Sequence, residues 1–134
     1  MSRQNVEIVR EQFAATNERD FARAMTYYAE GVELVVHPDA FLDNGRFEGR
    51  PAVVEWFADW FRTFEPGSRF DVEEALDLGH LVLLVASHRG RGRTSGVEVR
   101  GRTGYLYGVS AGKIVSVELY PSRAEALAAA EPAE

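Results

Sequence analysis

Apolar residues recur at helical spacing in the first quarter of the chain. Those of the first segment are Val6, Val9 and Phe13. They lie three and four positions apart, so they share one side of a helix predicted over residues 2–17. A second helix is predicted to begin after a cap at Asp20 and to end at Gly31. Its apolar positions are Phe21, Met25 and Tyr28. The two helices are expected to form a hairpin.

A strand and a third helix follow. Residues 32–37 are rich in β-branched side chains and end before Pro38, which predicts a strand. Residues 39–50 contain Asp, Asn and Gly and are predicted to form a loop, after which Pro51 opens a helix. The apolar residues of this helix are Val53, Val54, Trp56, Phe57, Trp60, Phe61 and Phe64. Its polar stripe is Glu55, Asp59 and Arg62. The helix is therefore expected to be almost enclosed.

After Pro66 and Gly67 the pattern becomes one of strands. Four are predicted, at residues 70–78, 80–93, 97–109 and 113–120. Short turns that contain glycine join them, which indicates an antiparallel meander. Residues 122–130 are rich in alanine and predict a closing helical turn, whereas residues 131–134 are expected to fray. Helices segregated from strands indicate an α+β fold, here as a single domain over residues 1–130.

Composition narrows the classes of function. The chain has 134 residues and a formal net charge of −6, so no overall basic field would attract nucleic acid or an anionic membrane. It has no cysteine, which excludes disulfides and thiol nucleophiles. Neither the apolar core of a signal peptide nor a run of about 18 apolar residues is present, so a cytoplasmic protein is expected.

Four short motifs occur in order within residues 5–121. They are Asn17-Glu18-Arg19-Asp20, Tyr27-Tyr28-Ala29-Glu30-Gly31, Phe47-Glu48-Gly49-Arg50 and Gly112-Lys113-Ile114-Val115-Ser116-Val117-Glu118. In this order they resemble the nuclear transport factor 2-like superfamily, and within it the SnoaL-like and ketosteroid isomerase-like small proteins. The resemblance implies a cone-shaped, curved antiparallel sheet wrapped around three N-terminal helices. It is much less specific for activity than for fold.

The resemblance also bears on catalysis. In the steroid isomerases, the residue before the proline that ends the first strand is an aspartate that shuttles a proton, and His37 matches it by that proline. Counting from the helix places Val36 there instead. The tyrosine that donates to the substrate oxygen falls near Gln12 or Phe13, and the donor carboxylic acid falls at Gly104. Because both donors are absent, the resemblance argues against steroid isomerisation.

Two titratable residues are predicted to be catalytic. His37 stands at the end of an apolar strand and could act as an acid or base at the mouth of the cone, with Asp39 or Glu118 fixing its tautomer. The alternative is a histidine bonded to a loop carbonyl. Glu118 has apolar neighbours, so it is either an acid whose pKa is raised by burial or an ion-pair partner of Arg89 or Arg102.

Several residues are candidates for substrate binding: Tyr28, Trp56, Trp60, Arg89, Arg102 and Tyr120. Their aromatic rings could hold a flat apolar ligand or simply form core, and Trp56 and Trp60 are the better candidates for walls. Because side chains alternate along a strand, two arrangements are open. The favoured one turns the following residues inward: Arg89, Arg102, Leu106, Glu118 and Tyr120. The opposite one places Thr103, Tyr105 and Tyr107 inside.

Other partners and cofactors find little support. Residues 89–93 alternate Arg and Gly, which also occurs in nucleic-acid clamps, but a solvated or dimer-facing strand edge, or a clamp for a carboxylate, explains them better. His37, Asp39 and Asp43 lack the spacing of a metal site, so neither a metal nor another cofactor is predicted. A homodimer through the sheet is predicted from one apolar strand face. That face is Val97, Val99, Tyr105, Tyr107 and Val109.

The sequence thus predicts a small-molecule-binding protein with a mostly apolar ligand. One form of this hypothesis is a cofactor-independent isomerase, cyclase or hydrolase that uses His37 as acid or base. The alternative is a non-catalytic ligand-binding or accessory module of the same fold.

Overall fold

The computed structural model describes residues 2–41 and 43–131. The helices are α1 (Ser2–Asn17), α2 (Phe21–Met25), α3 (Arg50–Thr63) and α4 (Arg123–Ala130). The strands are β1 (Tyr28–Val36), β2 (Gly45–Glu48), β3 (Arg69–Asp77), β4 (Leu81–Arg91), β5 (Glu98–Ser110) and β6 (Lys113–Tyr120). They form one curved, unclosed sheet in the order β2-β1-β6-β5-β4-β3. The predicted α+β cone is confirmed; the predicted fraying of residues 132–134 lies outside the described residues.

The meander of β3 to β6 is antiparallel as predicted, but two elements differ from expectation. The second helix ends at Met25 rather than Gly31, and Tyr28 begins β1. The backbone of β1 pairs with that of β6, and Tyr28 lies opposite Ile114. The β1–β6 pairing is parallel, so the sheet is not antiparallel throughout. The predicted loop at 39–50 contains β2, which pairs with β1 at the sheet edge.

Helices α1 and α3 pack on one face of the sheet and form the main core. The ring of Phe13 in α1 meets Phe70 and Tyr105 edge to face, with centroids 5.6 and 5.4 Å apart. Such arrangements are favourable for aromatic pairs. Seven residues of α3 are buried, and the predicted polar stripe is exposed. The prediction that this helix is almost enclosed is therefore confirmed.

The favoured assignment of strand faces is wrong. Tyr105 and Tyr107 face the helices, and Thr103 is buried against Ala40, whereas Leu106 faces away from the helices. The reason is α4, which covers the other face of the sheet and gives it an apolar cluster of its own. The buried members of that cluster are Leu83, Val85, Leu106 and Ala126. The face under α1 and α3 is here called the inner face, and the one under α4 the outer face.

Most of the apolar strand face from which a homodimer is predicted is buried within the chain itself. Tyr105, Tyr107 and Val109 are buried on the inner face, beneath the helices of the same chain. Those residues therefore supply no apolar surface for a second subunit, and dimerisation itself stays a prediction. Among residues 2–41 and 43–131, no helix is long and apolar enough to cross a membrane.

Candidate functional site

His37, Glu118 and Tyr120 form a hydrogen-bonded cluster on the outer face. His37 Nε2 lies 2.9 Å from Glu118 Oε1, and the Tyr120 hydroxyl donates to the same oxygen at 2.9 Å. The His37 and Tyr120 rings stack with centroids 4.4 Å apart. Strand alternation explains the placement, because the neighbours Val36, Val117 and Leu119 all point into the inner core. The expectation that Glu118 and Tyr120 turn into the cone is therefore wrong, and His37, expected at its mouth, packs with them on the outer face.

This cluster is partly open to solvent and is held together locally. The side chains of His37 and Glu118 are 34% and 39% exposed. Partial burial, with the hydrogen bond to the Glu118 carboxylate, raises the pKa of Tyr120 to about 12, so its hydroxyl stays a donor at neutral pH. Glu118 binds neither Arg89 nor Arg102, because its partners are His37 and Tyr120. Acid–base catalysis by His37 and Glu118 stays a prediction, and this geometry limits it to a substrate on the outer face.

Arg89 and Arg102 also lie on the outer face. They line a groove of about 440 Å³ across β3, β4 and β5, together with Arg69, Asp71, Ser87, His88, Arg100 and Gly101. Arg102 is held by Glu73, with Nε 2.7 Å from Oε1. Arg89 has no side-chain partner among the described residues. The inward orientation expected for both arginines is thus wrong, and neither can reach a ligand on the inner face.

Tyr28 lies deep in the core. The hydroxyls of Tyr28, Tyr105 and Tyr107 are all buried without a hydrogen-bond partner in the part of the chain that the structure describes. Burial raises the pKa of each of them, so all three phenols are neutral. Tyr28 is 1% exposed and belongs to the inner core. It therefore supports the core interpretation of the aromatic residues rather than the wall interpretation.

Trp56 and Trp60 line a cleft between α3 and the loop that follows β1. We call it the aromatic cleft; its volume is about 210 Å³, and it is lined by Phe41, Asp43, Trp56, Asp59, Trp60, Thr63 and Phe64. The Phe41 ring lies 5.1 Å from Trp56 and 6.2 Å from Trp60, measured between centroids. Helical spacing of four residues brings both indoles to one side of α3. Both tryptophans line this cleft and are also buried members of the inner core, so their role as walls of a ligand site stays a prediction.

Two carboxylates stand at the aromatic cleft. Asp43 Oδ1 accepts a hydrogen bond from Trp56 Nε1 at 3.1 Å, which fixes the loop against α3. Asp59 Oδ1 lies 3.2 Å from Arg62, and Arg62 also binds Glu55. From the sequence, Asp43 was a candidate only as a metal ligand, and neither Phe41 nor Phe64 was predicted as a site residue. In the sequence, Phe41 and Asp43 are only an aromatic and an acidic residue in a polar loop. No local pattern predicts that this loop runs along α3.

His88 lies behind the aromatic cleft and was not predicted as a site residue. Its ring is 8% exposed and lies 4.6 Å from Phe41 and 6.3 Å from Trp60 between centroids. A Cβ on Gly101 would lie 2.9 Å from His88 Nε2, so the glycine makes room for the imidazole. Nδ1 is buried and has no partner among the described residues. Burial lowers the pKa of His88, so the ring is neutral at pH 7.

The buried imidazole predicts a pH dependence of stability. In the unfolded chain His88 titrates near its ordinary value of 6.5, but in the folded chain it takes up a proton only at lower pH. The unfolded state therefore binds more protons as the pH falls through this range, and the free energy of unfolding should decrease from pH 7.5 to pH 5.5. Urea unfolding at several pH values measures this slope.

His88→Gln should flatten that slope, because glutamine does not titrate. The matched control is His80→Gln, since His80 is exposed in the turn between β3 and β4 and should leave the slope unchanged. Equal slopes for His88→Gln and the unchanged protein would contradict the assignment.

No metal centre is formed by the part of the chain that the structure describes. Within residues 2–41 and 43–131, no group of three or more His, Asp or Glu side chains is placed to hold a metal ion. His37 and Asp43, considered together in the sequence, belong to different sites, the outer cluster and the aromatic cleft.

Comparison with known families gives a match over most of the chain. The model of the SnoaL-like domain matches residues 9–117. A sequence comparison with curated proteins gives no match. Similar solved structures include a nuclear transport factor 2-like protein from Burkholderia thailandensis, at 24% identity and a TM-score of 0.77, with 95% of this chain and 97% of that chain covered.

Two other similar structures hold small molecules. One is a hypothetical protein with a ketosteroid isomerase-like fold from Catenulispora acidiphila in complex with trimethylamine, with 21% identity, a TM-score of 0.73, and coverage of 91% of this chain and 90% of that chain. The other is TerC co-crystallised with polyporic acid, with 17% identity, a TM-score of 0.74, and coverage of 96% and 99%. At these identities the similarity concerns the fold.

Proposed function

Because the chain belongs to the SnoaL-like domain family, we propose that it binds a small, mostly apolar molecule in the aromatic cleft. The observation that carries the proposal is the convergence of Phe41, Trp56 and Trp60 around one cleft. Such rings present a large apolar surface with little side-chain freedom to lose on binding.

The size of the cleft limits the ligand. Pockets for drug-sized molecules usually measure about 300–1,000 Å³. At about 210 Å³, the aromatic cleft suits a single ring or a compact branched group. Two structurally similar proteins have been solved with small organic molecules, trimethylamine in one and polyporic acid in the other. They support a small-molecule ligand for this chain as well.

The proposal concerns binding and requires no chemical step. Catalysis by His37 with Glu118 is a separate proposal, because both lie on the outer face and share no lining residue with the aromatic cleft. A cytoplasmic location and a homodimer likewise remain proposals. The outer face beside α4 is the part of the sheet that the helices α1 and α3 leave uncovered.

Tryptophan fluorescence provides a direct test. The chain has two tryptophans, and both line the aromatic cleft, so a ligand there should change the emission while one elsewhere should not. Flat apolar carbonyl compounds are the first probes. Phe41→Ala is expected to weaken binding by about fivefold to tenfold, because it removes one ring wall, equivalent to roughly 1–1.4 kcal/mol.

Val72→Ala is the matched control. Val72 is an exposed apolar residue on β3, and it is not among the lining residues of the cleft. Its truncation should leave the dissociation constant unchanged. Equal binding by Phe41→Ala and the unchanged protein, or no emission change with any probe, would overturn the proposed function.

A further inference from the structure

We propose that the aromatic cleft recognises a small organic ammonium ion, with the cationic group between the indole rings and the carboxylates of Asp43 and Asp59. This inference rests on the proposed function and names the chemical class of the ligand. The juxtaposition that carries it is four aromatic rings and two acidic side chains around a cleft of about 210 Å³.

The aromatic rings favour a cation. The faces of Trp, Tyr and Phe rings are negative, and a cation within about 6 Å of a ring centroid is attracted to them, most strongly by Trp. Trp56 and Trp60 are both joined to Phe41 by ring contacts, so a group in the cleft meets several rings at once. Methyl or methylene groups on the nitrogen would also satisfy the apolar surface of these rings.

The carboxylates leave negative charge uncompensated. Asp43 Oδ1 accepts from the Trp56 indole, and its side chain has no basic partner among the described residues. Asp59 shares Arg62 with Glu55, so one guanidinium faces two carboxylates. Counting Asp43, Asp59, Glu55 and Arg62 gives a net charge of about −2 at this side of α3 at neutral pH.

This charge argues against an anionic ligand. Of the seven described residues that line the cleft, none is basic, so a ligand carboxylate or phosphate would meet two acidic and no basic lining side chains. A neutral ligand would use the rings but gain nothing from the acids. The arginines Arg69, Arg89, Arg100 and Arg102 lie across the sheet on the outer face, in the other groove.

Isosteric probes separate charge from shape. Choline carries a trimethylammonium group, 3,3-dimethylbutan-1-ol replaces its nitrogen by carbon, and 3,3-dimethylbutanoate places a negative charge beside the same tert-butyl group. Binding is followed by the two indole N–H signals in ¹H–¹⁵N NMR spectra. We expect choline to shift both signals saturably and to bind about tenfold more tightly than the neutral isostere. The anion is expected to bind least.

Asp43→Asn tests the carboxylate while the side-chain oxygen can still accept from the Trp56 indole. It should reduce the preference for choline over the neutral isostere severalfold and leave binding of the neutral isostere unchanged. Asp59→Asn provides a second, independent variant. Asp71→Asn is the matched control, because it removes one exposed carboxylate that lines the groove on the outer face and not the aromatic cleft, and it changes the net charge equally.

The outcomes distinguish the two proposals. If the neutral isostere or the anion binds as tightly as choline, or if flat apolar compounds bind and choline does not, the ammonium inference is wrong and the proposed function stands. If Asp71→Asn reduces the preference as much as Asp43→Asn, the effect is one of net charge and the site assignment is wrong. If no probe of any kind shifts the indole signals, both proposals fail.

Discussion

Replacing Trp60 by alanine is expected to lower the free energy of unfolding by about 3–5 kcal/mol. Trp60 is 5% exposed and joins α3 to the rest of the inner core. Its ring centroid lies 4.7 Å from those of both Phe64 and Phe70 and 5.3 Å from that of Phe61. Removal of the indole leaves a cavity among rings that are held by separate elements. Such a cavity collapses only in part, so both the transfer and the cavity costs apply.

Urea unfolding followed by circular dichroism measures this loss without relying on the tryptophan signal. Trp60→Phe is the graded control, because it keeps a ring in the same place and should lose much less. Trp60 Nε1 is buried and has no partner among the described residues, so removal of the indole N–H breaks no hydrogen bond. A loss below about 1 kcal/mol for Trp60→Ala would mean that the ring is not part of the packed core.

The elements that could be predicted from the sequence are those with a long, one-sided pattern. The first helix (2–17) and the last strand (113–120) match α1 and β6 as observed. The predicted second helix is too long because Phe21, Met25 and Tyr28 happen to fall at helical spacing. Pairing with β6 draws Tyr28 into the sheet, and a contact so distant in sequence leaves no local signal.

The orientation of the long strands could not be predicted, for a different physical reason. A strand with one buried face shows alternation, but a strand covered on both faces is apolar throughout. In β5 the residues from Thr103 to Val109 are buried without interruption. The alanine-rich C-terminal segment was expected to be only a closing turn, yet α4 covers the outer face. Because α4 makes the outer face apolar as well, the sequence pattern does not distinguish the two faces. Glu118, Tyr120 and the arginines, which were expected on the inner face, therefore lie on the outer face.

The residues of the candidate site also differ in whether the sequence could predict them. Trp56 and Trp60 were found because they belong to a helix, whose spacing fixes which side chains are neighbours. Phe41 and Asp43 come from a loop, and their approach to α3 depends on tertiary contacts. One of these is the hydrogen bond from Thr103 Oγ1 to the backbone oxygen of Ala40, 3.1 Å long and 63 residues apart in the chain. No pattern within the loop contains that information.

Gly104→Val is expected to destabilise the protein by about 3 kcal/mol or to detach α4 from the sheet. A Cβ at this position would lie 2.8 Å from the backbone oxygen of Ser122 and 3.0 Å from the Cβ of Ala126. The first of these atoms belongs to the N-cap of α4, so no side-chain rotation can relieve the contact. The strand and the helix must separate, and the outer apolar cluster then opens.

Two measurements distinguish the ways in which the variant can respond. Loss of overall stability would appear as a lower urea midpoint, whereas detachment of α4 would expose the outer cluster to a hydrophobic dye and make the Arg123 peptide bond accessible to trypsin. Gly31→Val is the matched control, since a Cβ at Gly31 in β1 has no neighbour within 4 Å. It should change stability by less than about 0.5 kcal/mol. If both valine variants behave alike, close approach of α4 to β5 is not what Gly104 provides, because only the Cβ at Gly104 would contact α4.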